Sequence, residues 1–127
     1  MAYDEYMFLA TSNKPRRLLH FSYIGKVGVA ELQRGSLEVN ALLAELPPGL
    51  KIVVDLERLE SMDIGCAEIV GQIMEMLEKH GVDLVVRIIP DPTKDIGLNL
   101  ISRFHYHHRP RIATFKSLAE VAGLLAV

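Results

Sequence analysis

Three groups of side chains in this sequence are of types that do chemistry. Cys66 stands at the start of an apolar-striped segment, where the dipole of a helix lowers a thiol's pKa and favours the reactive thiolate. The same residue belongs to the stripe, and a core thiol is the reading adopted, because free cysteines are among the most buried residue types. His105, His107 and His108 in "HYHH" offer imidazoles, two of which, His105 and His108, would share a face of a continuing helix. No cysteine or closely spaced carboxylate completes a metal ligand set, so this segment reads as the cationic end of a helix, stopped by Arg109 and Pro110. The third group is "SMDIGC", residues 61–66, where a short apolar run hands over to a helical one. A helix start presents unpaired N–H groups and a partial positive charge, so an anion is what this position suits. Asp63 is placed there to cap the helix with its carboxylate, an interaction worth about 1 kcal/mol. Ser61, two residues earlier, reads as a solvated loop serine and not as a phosphate acceptor.

The elements that must position these groups follow from periodicity and punctuation. Residues 5–11 and 17–24 are rich in aromatic and branched side chains and flank the polar cluster "SNKP", which predicts a β-hairpin. Val29, Leu32, Val39, Leu43 and Leu46 fall at helical spacings before "PPG", giving a first helix weakened at its middle by Gly35. "LKIVVDL", residues 50–56, is too short for a helix and reads as a central strand covered on both faces. The second helix is the clearest element: Cys66, Ile69, Val70, Ile73, Met74 and Leu77 form one stripe, and Gly81 ends it. A buried strand over 82–89 follows, then "PDP", then a third helix opened by Thr93 and carrying Ile96, Leu100 and Phe104. A strand over 111–115 leads to a last helix with Ser117 as N-cap and Glu120 as its capping-box partner. The order β-β-α-β-α-β-α-β-α predicts an α/β fold, with a mixed four- to five-stranded sheet, helices mainly on one face, and one domain over residues 1–127.

Composition narrows the function classes. The 127 residues are 50% hydrophobic and 24% charged with a net charge of −2, which gives no support to nucleic-acid binding. The apolar runs fall far short of the roughly 20 residues needed to span a bilayer, so no membrane insertion is expected. One cysteine and no signal-peptide pattern at the start point to a reducing cytoplasm.

Three stretches then carry a resemblance to a known family: "HFSYIG" resembles a second strand ending in glycine, "IVVDLERLESMD" a strand, short loop and aspartate, and "IPDP" the turn after a fourth strand. Over nearly its whole length the chain resembles the STAS domain, named for sulfate transporters and anti-sigma factor antagonists. In the family's antagonists the aspartate precedes two serines and a glycine, and the first serine is phosphorylated. By register Asp63 matches the aspartate, Ile64 the phosphorylated serine, Gly65 the second serine and Cys66 the glycine. Ile64 has no hydroxyl, so no phosphate switch can operate at that residue. Two readings of Ile64 stay open: a partly buried residue under the neighbouring loop, or an apolar anchor on a partner-binding face.

The resemblance implies a protein-interaction module that docks on an ATP-binding anti-sigma factor with serine-kinase activity, regulating transcription through partner binding. Ser61, Asp63, Ile64 and Gly65 are the expected contact residues. Two alternatives share this fold, a module sensing a small anion or nucleotide at the second helix start, and a non-catalytic subunit of a transporter or stress complex. A response-regulator receiver is a third class, because Asp55 ends a strand and Lys116 follows the last one. Its paired acids after the first strand are missing, since Asp4 and Glu5 stand at the wrong end of that strand, its beginning, and Asp55 reads as capping the following loop. With no Gly-rich phosphate loop, nucleophile elbow or catalytic carboxylate pair, no enzyme activity, catalytic residue, cofactor or metal is expected.

Overall fold

A computed structural model of the chain describes residues 6–91, 106 and 110–125. The helix expected from Thr93 and the histidines of "HYHH" lie outside the described residues. The hairpin is present as β1 (Tyr6–Asn13) and β2 (Leu18–Val27), joined by a 3-10 turn at Lys14–Arg16. There follow α1 (Val29–Leu43), β3 (Leu50–Asp55), β4 (Leu59–Met62), α2 (Cys66–His80), β5 (Val82–Ile88), β6 (Arg111–Phe115) and α3 (Leu118–Leu125).

The six strands form one sheet of order β1-β2-β3-β5-β6, with β4 paired to β2 off that path. Only β1 and β2 run antiparallel; β2–β3, β2–β4, β3–β5 and β5–β6 are parallel. This corrects the sequence reading in one place, because residues 59–62 were expected in a loop. β2 is long enough to be shared: Leu18–Ser22 pairs with β3, and Gly25–Val27 pairs with β4 after a register shift. Burial of Leu59 drives the pairing by turning the chain back onto the sheet. Four residues carry too little alternation for their sequence to have announced it.

Strand alternation sends side chains to opposite faces. On one face Phe8, Phe21, Tyr23, Ile52 and Val85 pack with the buried stripes of α1 and α2. On the other, Val53, Leu84, Val86 and Ile88 surround Val121 of α3. Helices therefore lie mainly, but not solely, on one face. β3 and β5 are covered on both, which is why their sequences read as continuous apolar runs.

Two glycines shape this packing, Gly81 as the sequence reading expected and Gly35 in a way it did not. Gly81 ends α2 with φ +113°, and its N–H is bonded to the Leu77 carbonyl at 3.0 Å. Gly35 is buried in α1 directly beneath Phe8, and a Cβ built there would lie 2.1 Å from Phe8 Cδ2. It is thus the contact point between α1 and the hairpin and not merely a weak spot in the helix. α1 also stops at Leu43, three residues earlier than its apolar spacing suggested, with Leu46 buried from the turn that follows.

Candidate functional site

β2 feeds α1 and β4 feeds α2, so both helices start at the same end of the sheet. Their first turns touch: a Cβ on Gly65 would lie 3.1 Å from Val29 Cγ2. The Asp63 N–H donates to the Val27 carbonyl at 3.1 Å, tying the loop before α2 to the chain entering α1.

Asp63 does not cap α2 as its sequence position suggested. Gly65 is the N-cap and offers no side chain; the Asp63 carbonyl, not its carboxylate, accepts the Cys66 N–H at 2.9 Å, and the Ile64 carbonyl accepts from Ala67. This tight turn aims the Asp63 side chain elsewhere. Its Oδ2 lies 3.5 Å from where a Gly28 Cβ would stand, and Glu31 Oε2 approaches the same point to 2.9 Å. Two carboxylates thus meet at Gly28, the N-cap of α1. They already supply the negative charge that helix starts favour, so a small anion would have to sit against them.

Between these carboxylates and α2 stands Ile64, 95% exposed, which excludes the reading that buries it under the loop. Gly65 and Asp63 are exposed as well. Ser61 is exposed on β4 opposite Lys26, outside the α2 start and not in a loop. The structure therefore brings Asp63, Ile64 and Gly65 together with α1 and leaves Ser61 on the adjoining strand.

Cys66 is fully buried, its Sγ 3.8 Å from the Val27 carbonyl oxygen. Burial pushes its thiol pKa up, and the Asp63 and Glu31 charges push it the same way, outweighing the Asp63 backbone hydrogen bond. The position lacks the electropositive, accessible setting of a reactive cysteine. Asp55 Oδ1 accepts the Glu57 N–H at 2.9 Å, the loop-capping role expected of it. Burial alone would raise the Asp55 pKa, but the His20 imidazole, that N–H and Arg58 together hold it below its ordinary value. His20 Nε2 stands 3.7 Å from Asp55 Oδ2, beyond hydrogen-bonding distance, so that attraction is coulombic and complete only with the imidazole protonated. Glu57 in turn accepts the Leu118 N–H at 2.9 Å, and Ser117 Oγ accepts from Glu120 at 3.4 Å, which fixes the start of α3. Among the described residues no group of three or more histidine, cysteine or acidic side chains could hold a metal, and no helix is long and apolar enough to cross a membrane.

One residue near this site escaped the sequence reading. Leu37, 73% exposed on α1, lines with Gly65 and Glu68 a groove of about 450 Å³ between α1 and α2. The available signal was its phase, since Leu37 falls outside the stripe of Leu32, Val39 and Leu43.

No family model and no curated relative matches this chain. Solved structures do. An uncharacterised protein from Shewanella loihica PV-4, described as a DUF3478 family member with a SpoIIAA-like fold, is 13% identical, with 93% of this chain and 91% of that one covered at a TM-score of 0.68. The anti-sigma factor antagonist SpoIIAA in its unphosphorylated form is 17% identical over 94% of this chain and 96% of its own, at a TM-score of 0.62. An anti-sigma factor antagonist from Mycobacterium paratuberculosis is 17% identical, covering 95% and 94%, at 0.58. At these identities the likeness is one of fold, and it extends over almost the full length of each chain. The chain has the SpoIIAA-like fold of a STAS domain.

Proposed function

We propose that this chain is a non-catalytic protein-interaction module of the anti-sigma factor antagonist type, docking through the α2 start and lacking the phosphate switch at that position. The observation that carries the reading is Ile64: a β-branched apolar side chain 95% exposed at the tip of the loop before α2. Exposing it gains nothing for folding, whereas burying it against a partner stabilises a complex by about 2 kcal/mol. It stands where the family resemblance puts the phosphorylated serine. The partner would be a protein of the ATP-binding anti-sigma type, regulated by the amount of the two proteins and not by a phosphate on residue 64. Asp63 and Gly65 flank the anchor, and Ser61 lies on the neighbouring strand edge.

The test is affinity capture from lysate with the native chain and with Ile64→Glu, whose charge crudely imitates a phosphoserine, followed by titration of the purified partner. Because Ile64 is so exposed, the variant should melt with the native protein. Capture of an ATP-binding kinase-like protein, with affinity lowered roughly thirtyfold by the substitution, is the expected result. Equal affinity for both proteins would remove Ile64 from the interface. A phosphate found on Ser61 would overturn the absence of a switch.

A further inference from the structure

The two most exposed large apolar side chains among the described residues are Ile64 at 95%, just before α2, and Leu37 at 73%, past the middle of α1. Gly65 packs on Val29 in the first turn of α1, so Ile64 is level with that turn, and Leu37 lies eight residues further along the helix. At 1.5 Å per residue the anchors are separated by roughly 12 Å along the α1 axis. A groove between the helices is lined by Leu37 and reaches Gly65, the residue next to Ile64. It is floored by Val29 and Ile69, and it continues past Gln72 toward the helix C-termini.

Three carboxylates stand close to these anchors, while Arg34 of α1 lies one turn before Leu37. Glu31 and Asp63 converge on Gly28, and Glu68 lines the groove. None of these three carboxylates makes an ion pair among the described residues. A nucleic-acid backbone or an anionic membrane surface would be repelled by them.

Resting on the protein-interaction reading above, we propose that the partner segment is a cationic amphipathic helix lying along the α1–α2 groove. Its apolar anchors stand seven or eight residues apart, one against Ile64 and one against Leu37, and its lysines or arginines face Glu31, Asp63 and Glu68. The spacing follows from the 12 Å separation, because residues seven or eight apart share one face of a helix. The charge follows from the unpaired rim, which steers a basic segment in and turns acidic ones away. The interface thus extends well beyond the loop at 61–65, onto α1.

The experiment is selection of a phage-displayed library of random 20-residue peptides on the whole folded chain, followed by titration of the enriched peptides as synthetic molecules. Enriched sequences should carry net positive charge and apolar residues at i and i+7 or i+8. Their affinity should fall tenfold or more with Leu37→Asp and with Ile64→Asp, and also with the pair Asp63→Lys and Glu68→Lys. Lys14→Glu, at the far end of the sheet, should leave it unchanged. Binding should weaken about tenfold or more between 50 and 500 mM salt, as screening removes the rim's contribution. Enriched peptides that are neutral or acidic, or that bind Leu37→Asp as well as the native chain, would overturn the groove assignment while leaving an interaction module in place. A dimer of this chain abolished by Leu37→Asp would make the occupant a second copy and overturn it equally. If no peptide is enriched and no partner is captured, the interaction reading itself fails.

Discussion

Gly35→Ala ought to stabilise an ordinary helix, and here it should do the reverse. Alanine in a helix interior is favoured over glycine by about 1 kcal/mol. At Gly35, however, the new Cβ would stand 2.1 Å from Phe8 Cδ2 and 2.6 Å from Cε2. Ordinary carbon contacts need about 3.5–4.0 Å, so ring and helix must separate by roughly 1.5 Å. The ring has little freedom to yield. It is 3% exposed, edge-on to Tyr23 at 4.9 Å and tilted against Phe21 at 5.5 Å. Overpacking of this kind costs about 1–3 kcal/mol, and the upper end applies because two aromatic neighbours must move as well. The net expectation is a loss of about 2 kcal/mol, read as a lower urea midpoint with an unchanged slope.

The cause is isolated by a second substitution. In a Phe8→Ala background, itself about 3–5 kcal/mol less stable, the methyl has open space and Gly35→Ala should become stabilising by about 1 kcal/mol. The reversal corresponds to a coupling of about 3 kcal/mol between the two positions. Phe8→Leu provides a milder background if Phe8→Ala leaves too little folded protein to titrate. Stabilisation by Gly35→Ala in the native background, or the same sign in both, would refute the close approach of α1 to the hairpin.

Other consequences are simpler to check. Asp55 has a depressed folded pKa, so its contribution is present above its ordinary value of 3.8 and is lost as pH falls through the lower folded value. Asp55→Asn should therefore destabilise the protein by about 1 kcal/mol at neutral pH and flatten its acid unfolding curve below about pH 4, followed by circular dichroism. Cys66 should react with iodoacetamide at least about 100-fold more slowly than a free thiol and become fully reactive in urea, since it is exposed only by opening of the core. Gly81→Ala should cost about 2 kcal/mol in a denaturant titration, because a φ of +113° strains any side chain and the new Cβ would lie 3.1 Å from Pro48 Cβ. Ile64→Asp should shift the midpoint by no more than about 0.5 kcal/mol, which separates its effect on binding from any effect on folding.

What the sequence made legible divides along physical lines. α2 could be read because its stripe repeats over about three turns and every member, from Cys66 to Leu77, is buried. The two buried strands could be read because covering on both faces leaves a signature that survives in only six or seven residues. β4 could not, since its four residues owe their pairing to the length of β2 and to one buried leucine. The site was legible as a place but not as an arrangement. Its position followed from the strand-to-helix handover and from the resemblance around Asp63, while the direction of the Asp63 side chain depends on a turn that only three-dimensional geometry fixes. Leu37 was missed for a related reason: an out-of-phase leucine gains meaning only when α2 is seen beside it.

Why an apolar residue suits position 64 can be argued from the charges around it. In the related phosphorylatable pattern a serine there would receive about two negative charges beside a helix start that favours them. Here the neighbouring start, at Gly28, already receives Asp63 and Glu31, both aimed at the same point. A phosphate on residue 64 would be repelled by these carboxylates, and more strongly once a partner excluded solvent. An isoleucine avoids that repulsion and supplies apolar area at the centre of the acidic rim. On the proposed reading, the neighbouring carboxylates would then act on the partner, and the apolar tip would bind it without waiting for a kinase or a phosphatase. Next door, burial pushes the Cys66 thiol pKa up and the Asp63 and Glu31 charges push it the same way, a setting that disfavours the reactive thiolate.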